Sequence, residues 1–125
     1  MNKFLKCSLC GNLVEIINDS HIPIVCCGKN METLVANNTD GAIEKHVPVV
    51  NIDGNNVEIV VGETLHPMLN EHYIMWIHVY TNKKEYHFDL LPNSNPRIVF
   101  NKSNDEEVLE VLAYCNLHGL WKNEN

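Results

Sequence analysis

The cysteines at the amino-terminal end constrain this chain more than any other feature. Four of the five cysteines lie in the pattern Cys7-x-x-Cys10, then fifteen residues, then Cys26-Cys27-Gly28. A segment of that length cannot bury a hydrophobic core of its own, and such short domains usually depend on added cross-links. Two cysteine pairs separated in this way predict one tetrahedral metal site with four thiolate ligands.

Composition sets the expected compartment and excludes two kinds of partner. No apolar run reaches the length of a signal peptide or a membrane-spanning helix, so we expect a cytoplasmic protein that does not insert into membranes. In a reducing cytoplasm, cysteines serve as metal ligands more often than as disulfides. The net charge of −7, with only nine Lys and Arg, argues against nucleic acid, because phosphate binding needs a cationic face.

The rest of the chain predicts an all-β domain. The turn-forming segment Asn37–Gly41 has no apolar anchor, which places a domain boundary there and gives domains of 1–36 and 37–125. Short runs rich in valine, isoleucine and aromatic residues follow: Val47–Ile52, Val57–Val61, Tyr73–Thr81, Tyr86–Leu91 and Ile98–Phe100. This spacing is typical of a β-sandwich, and Asp53-Gly54 predicts a hairpin. Residues 108–112 fit a helix and a strand alike, and we predict a strand.

The spacing alone leaves the metal of the four-cysteine site open between zinc and iron. Zinc is the commoner ion in such sites, but zinc ribbons usually leave two residues between ligands, whereas Cys26 and Cys27 are adjacent. The combination of Cys7-x-x-Cys10 with Cys26-Cys27-Gly28 resembles desulforedoxin and the amino-terminal domain of desulfoferrodoxins, over residues 1–36. The resemblance implies one iron held by four thiolates. A filled thiolate site serves stability or electron transfer rather than substrate binding.

A fifth cysteine and four of the seven histidines suggest a second metal site. They occur as Glu44-Lys45-His46, His66-Pro67, His72-Tyr73 and Cys115-Asn116-Leu117-His118. All four places are predicted strand ends or loops, and loops at one end of a sandwich cluster in space. Four imidazoles and one thiolate give five donors, which suits a six-coordinate iron with one open position better than tetrahedral zinc.

In this order the motifs are similar to the catalytic domain that desulfoferrodoxins share with neelaredoxins, over nearly all of 37–125. The resemblance implies an immunoglobulin-like β-sandwich with superoxide reductase activity, which converts superoxide to hydrogen peroxide at a non-haem iron. The implied iron ligands are His46, His66, His72 and His118, with Cys115 as the axial thiolate. Glu44 matches the family glutamate that can occupy the open position, and Lys45 matches the lysine beside it, which would attract superoxide.

The same resemblance implies the wider setting of the enzyme. It implies two iron ions per chain, one bound by four cysteines and one by four histidines and a cysteine. It implies re-reduction by an external donor such as a rubredoxin-like protein. It also implies a homodimer that detoxifies superoxide in an anaerobe or microaerophile.

Two further expectations concern residues around these motifs. Consecutive strand residues point to opposite faces, so Glu44, Lys45 and His46 are expected to lie in an irregular loop. The three remaining histidines match no family ligand and are expected to be structural or surface residues: His21, His78 and His87.

Two other functions stay open on the residues themselves. A zinc-binding or electron-carrier module would explain the four-cysteine cluster but not Cys115. Superoxide dismutation would require the metal to oxidise superoxide as well as reduce it, which an electron-rich, thiolate-bound iron suits less well.

Overall fold

The computed structural model describes residues 3–124, which form short antiparallel strands and one helical turn. The elements are β1 Lys3–Lys6, β2 Leu13–Ile16, β3 Val25–Cys26, β4 Lys29–Asn30, β5 Glu32–Thr33, α1 Ile43–His46, β6 Pro48–Asp53, β7 Asn56–Val61, β8 Ile74–Thr81, β9 Glu85–Asp89, β10 Arg97–Asn101, β11 Val108–Cys115 and β12 Gly119–Lys122. The chain divides into two compact units, Met1–Val35 and Ala36–Asn125. Within the described residues, no helix has the length and apolar character needed to cross a membrane.

The first unit is a small β structure with very little core. β1 lies between β2 and β5 in a three-stranded sheet, and β3 pairs with β4 in a separate hairpin. Phe4, Leu5 and Cys7 are its buried side chains among the described residues. A core of this size cannot offset the entropy of ordering the segment, so the unit needs the added stability of a bound metal.

The second unit is a seven-stranded β-sandwich, which confirms the predicted fold. A three-stranded sheet in the order β10-β7-β6 packs against a four-stranded sheet in the order β12-β11-β8-β9. Along β7, the side chains of Val57, Ile59 and Val61 are fully buried, while the intervening side chains are less so. They pack with apolar residues of β8 and β11 in one core. This alternation is what a sheet with one face on a core requires.

The predicted strands are confirmed with small shifts at their ends. The ambiguous run at 108–112 is part of β11, which pairs with β8 over most of its length. The hairpin at Asp53-Gly54 is also confirmed, because Asp53 pairs with Asn56 and leaves Gly54 and Asn55 as the loop. Gly54 has a φ of 61°, the left-handed conformation that such two-residue loops require.

A buried carboxylate that the sequence did not reveal joins the loop before β11 to β8 and β9. Glu106 is 2% exposed and accepts hydrogen bonds from Thr81 Oγ1 at 2.6 Å, from Tyr86 OH at 2.9 and 3.0 Å, and from Ser103 N at 3.1 Å. These bonds, with that from Thr81 the largest contribution, lower the pKa of Glu106 to about 2. The charged form of this residue therefore stabilises the fold.

Glu106→Gln should lower the denaturant midpoint at pH 7, because the amide cannot accept from all three groups and carries no charge. The pKa of Glu106 in the folded protein lies below its usual value, so its contribution is present above about pH 4.5 and is lost as the pH falls toward about 2. The difference in denaturant midpoint between the parent and Glu106→Gln should therefore become smaller as the pH is lowered. Glu107→Gln, at the exposed neighbouring position, is the control. Equal midpoints for the two variants at pH 7 would contradict the role given to Glu106.

Candidate metal centres

The four predicted cysteines of the first unit come together in one group. The sulfur atoms of Cys7, Cys10, Cys26 and Cys27 all lie within 4.8 Å of one another. Cys10 Sγ and Cys26 Sγ are 3.6 Å apart, close to the ~3.8 Å between thiolates that bind one ion tetrahedrally at about 2.3 Å. The residues present therefore fit a four-thiolate metal site, with Cys7 buried and Cys10 and Cys27 exposed.

The adjacent cysteines are accommodated by a tight hairpin. Cys26 pairs with Lys29 across β3 and β4, which leaves Cys27 and Gly28 as a two-residue loop. Both loop residues have positive φ, 53° for Cys27 and 72° for Gly28, as in a type I′ turn. A cysteine rarely adopts this conformation. Here the turn reverses the direction of the chain directly after Cys26. The turn explains how neighbouring residues can both face one ion.

Hydrogen bonds prepare one sulfur for metal binding and leave another protonated. The backbone N–H groups of Cys10 and Leu9 donate to Cys7 Sγ at 3.4 Å and lower the pKa of Cys7 to about 6. Hydrogen bonding with Cys10, and next with Cys7, raises the pKa of Cys27 to about 12. Adding successive thiolate charges is therefore unfavourable without a cation, and metal uptake must release protons.

The second group assembles four histidines and one cysteine of the sandwich. His46 ends α1, His66 follows β7, His72 precedes β8, Cys115 ends β11 and His118 lies in the turn before β12. One donor atom from each residue lies within 4.8 Å of the others. His46 and His66 are 2% and 3% exposed, and Cys115 is fully buried. Strand ends and connections at one end of the sandwich thus converge as predicted.

Backbone acceptors determine which ring nitrogen faces the centre. His46 Nδ1 donates to Ala42 O at 2.7 Å, and His66 Nδ1 donates to Pro67 O at 2.7 Å, so Nε2 of each ring points inward with its lone pair. His72 Nε2 is buried and has no hydrogen-bond partner among the described residues. A buried polar atom in this state is costly unless it binds something.

The distances between these nitrogens fit neighbouring ligands of one metal ion. His46 Nε2 is 3.0 Å from His118 Nδ1 and 3.1 Å from His66 Nε2. Two ligands at right angles with bonds of about 2.1 Å would lie ~3.0 Å apart. Cys115 Sγ is 3.7 Å from His118 Nδ1 and completes a five-donor set. Five donors exceed the four of a tetrahedral zinc site, so the chemistry of the set fits iron.

Burial keeps three of the imidazoles neutral and available as donors. It lowers the pKa of His66 to about 4, and it also lowers the pKa of His46 and of His72. Burial raises the pKa of the Cys115 thiol. At neutral pH these three histidines therefore present uncharged rings, and Cys115 presents a thiol that loses its proton when a cation binds.

Glu44 and Lys45 lie in a helical turn, so the predicted irregular loop is wrong. Lys45 N donates to Ala42 O, and Val47 N donates to Ile43 O, at 3.0 Å each. The turn ends there because Val47 precedes Pro48 and is extended, with φ −71° and ψ 121°. A helical turn spreads three successive side chains around its axis, which lets His46 be buried while Glu44 and Lys45 stay exposed.

Gly62 holds this helical turn in place, and no sequence pattern indicated its role. Its φ is +105°, and a Cβ there would contact Glu44 O and lie 2.7 Å from Lys45 Cα. Thr64 N donates to Glu44 O at 2.9 Å from the same loop. The bare backbone of Gly62 therefore allows the loop after β7 to pack directly on the peptide that carries Glu44 and Lys45.

The segment predicted to hold the domain boundary, residues 37–41, also contacts two of the histidines and Trp121. Trp121 stacks on His46 with ring centroids 4.8 Å apart, and Trp121 Nε1 donates to His118 O at 3.0 Å. Thr39 Oγ1 donates to the same carbonyl. A Cβ at Gly41 would lie 3.1 Å from the Trp121 ring and 3.2 Å from the His46 ring. We call residues 37–41 the strap.

Asn116 is a further supporting residue, between Cys115 and His118 in the chain. Its Oδ1 accepts from Tyr73 N at 3.0 Å, and its Nδ2 donates to Glu71 O at 3.0 Å. These two bonds bracket His72. Hydrogen bonds of this kind fix the orientation of metal-binding side chains and affect metal affinity.

The remaining histidines lie outside the five-donor group. His21 is 81% exposed at its side chain and lies beside Asp19. His78 is buried and faces Glu85 and His87 on β9.

A four-thiolate group and a separate sandwich with four imidazoles and one thiolate define a non-haem metalloprotein with two metal centres. The family model described as desulfoferrodoxin matches residues 38–124, and that of the desulfoferrodoxin N-terminal domain matches residues 1–34. The chain belongs to the desulfoferrodoxin family. A member of this family has two iron centres, and the two groups described above are suited to hold them.

Individual relatives cover the chain from end to end or only in part. A desulfoferrodoxin homologue from Methanothermobacter thermautotrophicus is 43% identical over 120 residues, which cover 96% of each chain. The crystal structure of the superoxide reductase from Treponema pallidum is 31% identical, covers 99% of both chains and has a TM-score of 0.81. A one-iron superoxide reductase from Giardia intestinalis is 34% identical, covers 64% of this chain and 95% of its own, and has a TM-score of 0.52.

Gly62→Ala should destabilise the iron-loaded protein more than Gly54→Ala does. Both glycines have positive φ, but a Cβ at Gly54 meets no atom within 4 Å, whereas one at Gly62 collides with the 44–45 peptide. The difference in unfolding free energy should be about 1–3 kcal/mol, the usual cost of overpacking. Chemical denaturation of both variants measures it. If both variants lose the same unfolding free energy, the close packing of Gly62 on the helical turn does not contribute to stability.

Proposed function

We propose that this chain is a superoxide reductase, which adds one electron and two protons to superoxide and releases hydrogen peroxide. The observation that carries the proposal is the convergence of five donor atoms, four imidazole nitrogens and one thiol sulfur, within 4.8 Å. We assign the catalytic iron to His46, His66, His72, His118 and Cys115. A ferrous ion in this group would supply the electron and a coordination position open to an anion.

The protein's own backbone and side-chain groups position the donors and attract the substrate. The backbone carbonyls of Ala42 and Pro67 hold two rings in the tautomer that presents Nε2. Burial of Cys115 keeps water from its sulfur, and loss of its proton makes it an electron-donating thiolate. We assign catalytic roles to the exposed residues Glu44 and Lys45, on the turn that ends in His46.

The two charged residues have opposite tasks in this proposal. The ammonium group of Lys45 attracts superoxide to the centre of a chain whose net charge is −7. The carboxylate of Glu44 is the candidate donor for the remaining position in the oxidised state. Because both belong to one helical turn packed on Gly62, the backbone sets the positions of their Cα atoms relative to His46.

The first centre and the cellular setting complete the proposal. We assign residues 1–36 as a desulforedoxin-like domain whose iron is bound by Cys7, Cys10, Cys26 and Cys27, and residues 37–125 as a neelaredoxin-like catalytic domain. Four thiolates fill the first site, so it stabilises the fold or transfers electrons. A rubredoxin-like protein returns the electron, and the enzyme acts as a cytoplasmic homodimer that removes superoxide in an anaerobe or microaerophile.

Cys115→Ser tests the assignment of the catalytic centre. The variant should lose the thiolate-to-iron absorption of the oxidised sandwich domain and its superoxide reduction, because serine cannot supply the electron-rich fifth donor. Absorption from the four-cysteine centre should persist, since none of its residues is altered. Pulse radiolysis with visible detection follows both signals. An unchanged rate and spectrum would remove Cys115 from the centre.

Lys45→Ala tests how the substrate is attracted. The second-order rate with superoxide should fall by roughly ten- to a thousand-fold and depend less on ionic strength, because a local positive charge is lost. Lys45→Arg should restore most of the rate. Glu44→Ala should leave capture nearly unchanged, and Lys83→Ala, at an exposed lysine paired with Asp105, is the matched charge control. If Lys45→Ala has the parent's rate and salt slope, Lys45 does not steer superoxide.

A further inference from the structure

Two histidines outside the catalytic group face each other across β8 and β9. His78 on β8 is in direct register with His87 on β9, and their Nδ1 atoms are 2.9 Å apart. This separation matches the 3.0 and 3.1 Å between ring nitrogens of the five-donor group. Neighbouring imidazoles bound to one ion at about 2.1 Å would have nitrogens ~3.0 Å apart. The pair therefore has the spacing of two ligands of one metal ion.

Each ring has a carboxylate at its other nitrogen. His78 Nε2 is 2.8 Å from Glu85 Oε1, and His87 Nε2 is 3.1 Å from Asp89 Oδ1. A metal-bound histidine commonly donates its second N–H to a carboxylate, which fixes the tautomer and increases the basicity of the ligating nitrogen. A neutral imidazole has one N–H. In the tautomers in which each Nε2 donates to its carboxylate, both Nδ1 lone pairs point at the same place, which favours a cation there.

The surroundings hold the two rings in this arrangement and keep the pair accessible. The Tyr80 ring lies 4.8 Å from the His78 ring, and the Trp76 ring lies 5.3 Å from the His87 ring. The side chain of His78 is 4% exposed, whereas that of His87 is 41% exposed. Ligands on paired strands are positioned more rigidly than ligands on loops. An ion can reach the pair from the side of His87.

We propose that His78 and His87 form a third metal site, which binds one divalent first-row transition-metal ion through their Nδ1 atoms. Imidazole ligands suit nickel, copper and zinc, and the carboxylates of Glu85 and Asp89 balance the charge of the ion. The site links β9, an edge strand of its sheet, to the interior strand β8. Because the ion binds only the folded pair, it stabilises the sandwich and protects this edge.

Titration of the iron-loaded protein with Ni²⁺ tests the proposal. Nickel is chosen because thiolates favour zinc, which could replace iron at the four-cysteine centre. Calorimetry with metal analysis should find one Ni²⁺ per chain, no loss of iron and a rise in the unfolding temperature. His87→Ala should abolish this binding. Glu85→Gln should weaken it by about 10- to 100-fold, as expected when a carboxylate partner of a ligand is lost.

The controls separate this site from general histidine binding. His21→Ala removes an exposed histidine beside Asp19 and should leave Ni²⁺ binding as in the parent. The iron spectra of all variants should match that of the parent, since none of the altered residues belongs to either iron group. Absence of Ni²⁺ uptake, or equal uptake by His87→Ala and His21→Ala, would overturn the proposal. The pair would then be a simple hydrogen bond with one ring as donor.

Discussion

The structure depends on one electrostatic constraint, which is that several unprotonated nitrogens and a sulfur face each other where water is largely excluded. Burial lowers the pKa of His66 to about 4 and also lowers the pKa of His46 and of His72, so these three rings do not relieve the crowding by taking up protons at neutral pH. His72 Nε2 has no partner among the described residues. A cation satisfies all of these atoms together, and the energy of its binding is then part of the energy of folding. Fixed acceptors, an aromatic ring and a close-packed glycine loop keep the donors in position for it.

Both iron groups bring several donor atoms together for one cation, but the first group is partly exposed and the second is largely buried. In the first unit, the chain contributes backbone N–H groups to one sulfur and leaves Cys10 and Cys27 exposed. In the sandwich, the donors are largely buried, and the exposed groups are the charged side chains of Glu44 and Lys45. The first arrangement suits electron exchange at the surface without a bound substrate. The second suits an anion that is attracted toward a largely buried ion by a positive side chain nearby.

The sequence was sufficient for the strands and the metal-binding residue types, but it could not reveal what positions them. β-Branched runs and turn residues predicted β6 to β11, because burial on one face imposes a local pattern. The helical turn at Ile43–His46 was not predicted, since four residues are too few to show a helical period. Gly62, Asn116 and Trp121 act through contacts with residues distant in the chain. Such contacts leave no local signal.

The strap belongs to the sandwich unit, so a version of that unit moved to another protein has to include it. A stretch of Asn, Thr, Asp and Gly looks replaceable, yet Asn37 exchanges hydrogen bonds with Lys122, and Thr39 holds the carbonyl of His118. Anyone who grafts this domain onto another protein, or inserts a tether of different length, must keep residues 37–41 intact and join the new sequence before them. The polar composition of this segment reflects bonds to backbone groups of the sandwich, and these bonds connect it to the turn that carries His118.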